Sequence, residues 1–295
     1  MKFSHYLPLL AMPAMLVIVE IIAILLSLPM QEAGLAAFDD PSSIANPFIF
    51  IVILLVFTAF LLLLIKFKLR RFIGIIIAIS IFFTFVYIFG SISYVLVADP
   101  LLGLAGCLIP AILATLILHL YPEWYVTDTL GILIAAGASS IFGISLEVIP
   151  VIILLVILAA YDAISVYKTK HMIALAEGVV ETKSPILFVI PKRRGYSYLK
   201  EGVGPLGEGE RGAFIMGMGD LIMPAILVVS ANVFIQGTRI GPLSIPALGA
   251  MIGSVAGLSL LLVYVNRGKP QAGLPPINGG AILGFLAGYA LHLLF

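Results

Sequence analysis

The feature that most constrains this chain is a succession of unbroken apolar runs, each long enough to cross a lipid bilayer. A helix needs about 20 consecutive apolar residues to do so. Such runs occur at 7–28, 48–65, 72–93, 101–120, 127–145, 149–167, 213–235, 243–265 and 276–294. They are continuous rather than alternating, which points to helices and away from the strands of a barrel. Only 11% of the 295 residues are charged and 62% are hydrophobic, whereas a soluble domain is roughly a quarter charged. A soluble fold could not cover its surface with so few polar side chains. A soluble enzyme, a nucleic-acid binder and a disordered chain are thereby excluded. The expected fold class is an all-α polytopic membrane protein with nine transmembrane helices. The first run exceeds the apolar stretch of a signal peptide and reads as a retained span.

Basic residues set the expected orientation, because they concentrate on the cytoplasmic side of a membrane. Lys2 precedes the first run, and Lys66, Lys68, Arg70 and Arg71 join the second and third. Lys168, Lys170, Lys183, Lys192, Arg193, Arg194, Lys200 and Arg211 separate the sixth and seventh, while Arg267 and Lys269 join the last two. With nine spans and a cytoplasmic N-terminus, these fifteen share one side and only Arg239 lies outside. The expected protein is then a multi-pass cell-membrane protein whose C-terminus is extracellular. The longest break divides the chain into a six-span block (1–168), a cytoplasmic loop (169–212) and a three-span block (213–295). Residues 170–180 read as a short surface helix. The rest of the loop, rich in Gly, Pro and charge, reads as mobile. No sequence repeat relates the two blocks.

Ionisable groups inside a span are costly and are functional candidates by default. Glu20, Asp162 and Asp220 fall well inside runs that contain no Lys or Arg to pair with them. Asp162 lies about six residues from the cytoplasmic end of the sixth run and Asp220 about seven from that of the seventh, so both sit roughly 9–11 Å deep. Consecutive spans run antiparallel, which lets the two acids face each other. Asp220 closes Gly217-Met218-Gly219-Asp220. Glycine there lets another backbone come close and weakens the helix, and Pro224 weakens it further. Two carboxylates in contact cannot both ionise easily and share a proton. One then takes a proton from water while the other donates to a carbonyl oxygen, the chemistry of an aspartic protease. It requires no metal or cofactor. Buried acids with glycines and prolines also mark transport sites, so a proton- or cation-coupled transporter or an ion leak pathway is the alternative.

The remaining polar residues carry blander readings. Glu20 is expected to line a wet cavity or to face another helix in protonated form. Glu147 reads as a span end, Asp99-Pro100 as a turn, and Glu123 with Asp128 as loop. His5, His119, His171 and His292 do not form a His-Glu-x-x-His zinc motif. Cys107 is the single cysteine, which leaves no intrachain disulfide or cysteine metal cluster.

Tyr161-Asp162 in one span, Gly217-Met218-Gly219-Asp220 in the next and a proline motif at the last resemble the presenilin and signal peptide peptidase family, the GxGD intramembrane aspartyl proteases. The resemblance covers essentially the whole chain and looks like a microbial, archaeal-type member. It implies that Asp162 and Asp220 are the catalytic dyad, supported by Tyr161, Gly217 and Gly219, with transmembrane helical proteins as substrates and lipid as surroundings. It also implies a Pro-Ala-Leu motif at the start of the last span. A literal Pro246-Ala247-Leu248 falls early in the eighth run and reads as a helix start. The position-matched segment is Ala272-Gly273-Leu274-Pro275, so the substrate-binding role is carried to Gly273, Leu274 and Pro275. The cytoplasmic placement of the large loop resembles the presenilin orientation, which implies substrates with cytoplasmic C-termini.

Overall fold

The computed structural model describes residues 7–67, 69–169, 187–193, 195–202, 212–265 and 272–294. Within these, the apolar runs fold as helices α1 (Leu7–Glu32), α2 (Ala45–Lys66), α3 (Arg70–Leu96), α4 (Pro100–Leu120), α5 (Trp124–Ser145), α6 (Val148–Ile164), α7 (Gly219–Phe234), α8 (Ile245–Val265) and α9 (Leu274–His292). All but α7 are long and apolar enough to cross a membrane, which makes eight among the described residues. The ninth, α7, is apolar but only 16 residues long. Large apolar side chains cover the outside: Phe48, Val52, Ile53, Val56 and Leu63 of α2 are exposed, as are Leu101, Leu113 and Ile117 of α4. Apolar patches of that extent belong against lipid.

Local chemistry explains several boundaries. Asp99 does not simply turn the chain; its carboxylate accepts the amides of Leu101 and Leu102, each at 2.9 Å, and caps α4 with Pro100 at the first position. Pro246 lies in the first turn of α8, as a helix-starting proline should. Past Ile164, α6 continues as a π-turn, Ser165–Thr169.

The most buried helix is α7. Leu221 and every residue from Pro224 to Asn232 are buried, and the helix packs against α1, α5, α6, α8 and α9. Small residues permit this closeness: a Cβ at Gly143 of α5 would run into Val229, and Ser230 Oγ donates to the Leu146 carbonyl at 2.7 Å. Helices α8 and α9 pack through a ladder of Gly249, Gly253 and Gly257 against Gly288, Gly284 and Gly280. A Cβ at any of the six would meet the facing backbone, so the two helices touch main chain to main chain.

Three parts of the sequence reading are corrected. The run at 213–235 does not begin as helix: Ala213–Gly217 is strand β2, and α7 starts at Gly219. Gly217 and Gly219 bracket the switch, where glycine weakens helix most. Asp220 is thus the second residue of its helix rather than two turns in. The loop is also ordered in places. Leu187–Pro191 forms strand β1, antiparallel to β2, with Val189 opposite Ile215, and Tyr198–Glu201 forms a helical turn. The run Leu187-Phe188-Val189-Ile190 is short, apolar and partly β-branched, as a buried strand is. The surface helix expected at 170–180 lies outside the described residues. Asp128 is not a loop residue either. It lies within α5 and accepts the Val189 amide at 2.8 Å, while Glu123, the loop residue just before α5, accepts Ser197 Oγ at 2.5 Å and the Tyr198 amide at 3.0 Å. A second hairpin, β3 (Arg239–Ile240) and β4 (Leu243–Ser244), joins α7 to α8, with Gly241 at φ +63° in its turn.

Candidate active site

Four elements meet at one point: the end of α6, the β2–α7 junction and the start of α9. Asp162 is on the last turn of α6 and is 6% exposed. Its Oδ2 accepts the amide of Leu274 at 3.0 Å, and the Gly273 amide also points at this carboxylate. Asp220 faces the same residues from the other side. A Cβ built on Gly273 would lie 3.0 Å from Asp220 Oδ1 and 3.1 Å from its Cγ and Oδ2. The Gly273–Leu274 backbone therefore runs between the two carboxylates, in a gap that only glycine leaves open on the Asp220 side. The two acids lie near enough to interact by charge, and the Gly217 amide also faces Asp220.

The helix start at Leu274 explains how its amide is free to serve Asp162. The first amides of a helix have no partner inside it, and Pro275 and Pro276 follow without amides of their own. Asn278, one turn on, is fully buried and donates from Nδ2 to the Leu155 carbonyl of α6 at 3.1 Å. Tyr167 reaches the same segment, its hydroxyl accepting the Ala272 amide at 3.4 Å. Among the residues singled out from sequence, Asp162, Asp220, Gly217, Gly273 and Leu274 come together. Tyr161 is half-buried on α6 beside Asp162, with its carbonyl bonded to Ser165 Oγ at 2.6 Å. Gly219 makes no close approach: a Cβ there would meet nothing within 4 Å. Asn278 went unread, although one amide in the apolar run, a turn past Leu274-Pro275-Pro276, is a legible signal. Among the described residues, no three His, Cys, Asp or Glu side chains gather closely enough to hold a metal ion.

The β1–β2 hairpin leads straight into this point, and its two outer edges differ. The Lys192 amide donates to the Gly212 carbonyl at 2.9 Å, just beyond the Pro191–Ala213 pair. Antiparallel pairs alternate, so Val189 and Pro191 turn their backbone groups away from β2, and Ala213 and Ile215 turn theirs away from β1. On the β1 side the Val189 amide is taken by Asp128, and Pro191 has no amide. On the β2 side, Ala213 is buried and Ile215 half-buried, and neither has a backbone hydrogen-bond partner on that edge among the described residues.

Glu20 stands apart from the site. It is fully buried on α1, where Ser254 Oγ of α8 lies 2.7 Å from Oε1. It faces another helix, as one of the two sequence expectations has it.

Comparisons with known proteins identify the family and the fold. A family model described as signal-peptide peptidase, presenilin aspartyl protease matches residues 13–293. Two solved structures of a presenilin family intramembrane aspartate protease, in C222 and P2 space groups, are each 53% identical to the chain and cover 97% of it. The match spans 100% and 98% of those chains, with TM-scores of 0.73 and 0.72. The chain matches no curated protein sequence.

Proposed function

Since the chain belongs to the signal-peptide peptidase and presenilin family and is an intramembrane aspartyl protease, we propose that Asp162 and Asp220 are its two catalytic carboxylates and that Gly273, Leu274 and Pro275 receive the substrate beside them. The observation that carries the reading is the convergence of both acids on the Gly273–Leu274 backbone. With one proton shared between them, the ionised acid takes a proton from a water. The protonated acid donates to the scissile carbonyl oxygen as that water attacks. The tetrahedral intermediate then collapses as the amine leaves with a proton from the dyad. A second reading, transport of a proton or cation, has the weaker support, because the matching family and structures are proteases.

A helical substrate must be unwound before its carbonyl is reachable. The unpaired β2 edge supports a route: an extended substrate segment adds as a third strand beside Ile215 and is led to Asp220 five residues on. Glycine at 217 and 219 keeps that path clear of side chains. Tyr161 holds the α6 terminus from which Asp162 projects.

In the membrane, the proposed arrangement is nine crossings, with α7 and the hairpin before it making the seventh. The fifteen basic residues on one side against Arg239 on the other favour a cytoplasmic N-terminus and an extracellular C-terminus. The substrates proposed are single transmembrane helices with cytoplasmic C-termini. The test is cleavage of a single-span peptide in detergent, read by mass spectrometry. Wild type is expected to cut within the span, and Asp162→Asn and Asp220→Asn are each expected to lose all cuts. Persistent cutting by either variant would reject the dyad.

A further inference from the structure

Helix α5 is not part of the dyad, yet one of its faces seats β1, the partner of the strand to which substrate is proposed to add. Asp128 and Gly131, three residues apart, lie on the same side of the helix. Asp128 Oδ1 accepts the Val189 amide at 2.8 Å. Gly131 is buried, and a Cβ there would lie 2.7 Å from Met218 Cε and 3.1 Å from Phe188 Cε1. One hydrogen bond and one missing side chain thus bring both β1 and Met218, the residue inside Gly217-Met218-Gly219-Asp220, down onto α5. Val189 is fully buried, so its amide needs the carboxylate. An unpaired buried donor would push the strand off the helix. Because β1 holds β2 through their ladder, and β2 runs into Asp220, a shift of Val189 becomes a shift of the unpaired β2 edge relative to the dyad.

We infer that Asp128 is a positioning residue for proteolysis: by accepting the Val189 amide it fixes the β1–β2 hairpin on α5, and so sets which substrate bond the β2 edge brings to the two acids. This rests on the proposal that substrate adds as a strand to β2. It concerns the choice of bond, since Asp128 touches neither the substrate edge nor the dyad.

The experiment maps cut sites in a single-span peptide by mass spectrometry for wild type, Asp128→Asn, Asp128→Ala, Gly131→Ala, Val189→Pro and the Asp128→Ala/Val189→Pro double variant. Asparagine keeps an acceptor oxygen and is expected to keep the wild-type pattern. Asp128→Ala and Gly131→Ala are expected to spread cutting to neighbouring bonds, with the main product's share falling about two- to five-fold, the effect of one lost hydrogen bond. Val189→Pro removes the donor at a position whose amide takes no part in the β1–β2 ladder. It is expected to spread the pattern likewise, and the double variant to add nothing further, since both changes remove one contact. A folded Asp128→Ala enzyme with slower cutting but an unchanged pattern would overturn the inference, and so would additive effects in the double variant. If Asp128→Ala does not fold, a spread pattern in Gly131→Ala and Val189→Pro supports the inference and an unchanged one overturns it. A parallel series of peptides N-methylated at single backbone amides separates the two layers. Wild-type cutting insensitive to every N-methyl overturns strand addition and with it the route assigned to Asp128. Sensitivity at alternate residues with an unchanged Asp128→Ala pattern overturns the Asp128 role alone.

Discussion

The amide of Leu274 donates to Asp162 at 3.0 Å, across 112 residues of sequence. It ties the first turn of the last helix to the last turn of the sixth. Through Gly273, the same stretch of backbone lies against Asp220. The start of α9 is thereby the shared wall of both carboxylates, and whatever holds α9 in place also holds the spacing of the two acids.

Gly273→Ala tests that wall directly. The added methyl would sit 3.0–3.1 Å from three atoms of the Asp220 carboxyl group, so the acid or the backbone must give way. A misplacement on the order of 1 Å costs up to about 100-fold in rate. The expected outcome is a kcat lowered about 10- to 100-fold with little change in the unfolding midpoint, read by peptide cleavage and by thermal unfolding in detergent. Wild-type kcat would show that the wall is not needed.

The pH profile follows from the proposed sharing of one proton. At low pH both carboxyls are protonated and no base remains; at high pH both are ionised and no acid remains. kcat/KM is expected to rise and then fall with pH in a bell. The check is initial cleavage rate across pH in a detergent that leaves the fold intact. A profile with a single rising limb would mean that only one of the two acids has to change its protonation during turnover.

Much of this was legible in sequence because the bilayer imposes simple rules. Apolar runs mark helices, basic residues mark a side, and an acid inside a run stands out against its neighbours. Asp162 and Asp220 stand out that way, whereas Gly273 and Leu274 enter only through the family resemblance. What sequence hid is set by contact rather than by composition. The run from Ala213 reads as apolar helix, yet its first five residues pair with β1, because strand and buried helix share the same residue types over so short a length. Asp128 and Glu123 look like ordinary loop acids until the amides of Val189 and Tyr198 arrive to use them. Asn278 reads as one polar residue in a span until its partner on α6 is known.

Glu20 is expected to be structural and neutral. Ser254 Oγ carries a single hydrogen but lies 2.8 Å from the Met251 carbonyl and 2.7 Å from Glu20 Oε1. A protonated Glu20 resolves the conflict by donating to Oγ, which in turn donates to Met251. Glutamine reproduces that donor. Glu20→Gln is therefore expected to keep both the unfolding midpoint and cleavage near wild type. Ser254→Ala leaves the acid buried without its partner and is expected to cost about 1–3 kcal/mol. Complete loss of cleavage in a folded Glu20→Gln protein would assign the residue a part in the chemistry.

Gly253→Ala should damage stability and activity together. Its Cβ would meet the Gly280 carbonyl and, at 2.9 Å, the Cα of Gly284, so α8 and α9 must separate along their ladder. Overpacking of this kind costs about 1–3 kcal/mol, and the start of α9 moves away from Asp162 as the helices part. The unfolding midpoint and kcat are expected to fall in parallel. A loss of stability with kcat unchanged would show that the ladder and the active site are uncoupled.

Asn278→Leu separates positioning from stability at the same wall. Asn278 and Leu274 are one turn apart on α9, and their partners Leu155 and Asp162 are two turns apart on α6. The two bonds act as rungs between the helices, and the Asn278 rung fixes how far α9 slides along α6. Leucine keeps asparagine's branching and number of heavy atoms and removes two polar atoms from a buried site, one of which, Oδ1, has no partner among the described residues. The net change in stability is accordingly expected to stay within about 1 kcal/mol. With the rung gone, the Leu274 amide no longer has a fixed height against Asp162, and kcat is expected to fall about five- to ten-fold, the worth of one hydrogen bond in alignment. Single-turnover cleavage beside thermal unfolding distinguishes the cases: a slower chemical step at an unchanged midpoint supports the rung, whereas an unchanged step shows that the Leu274–Asp162 bond holds α9 in register by itself.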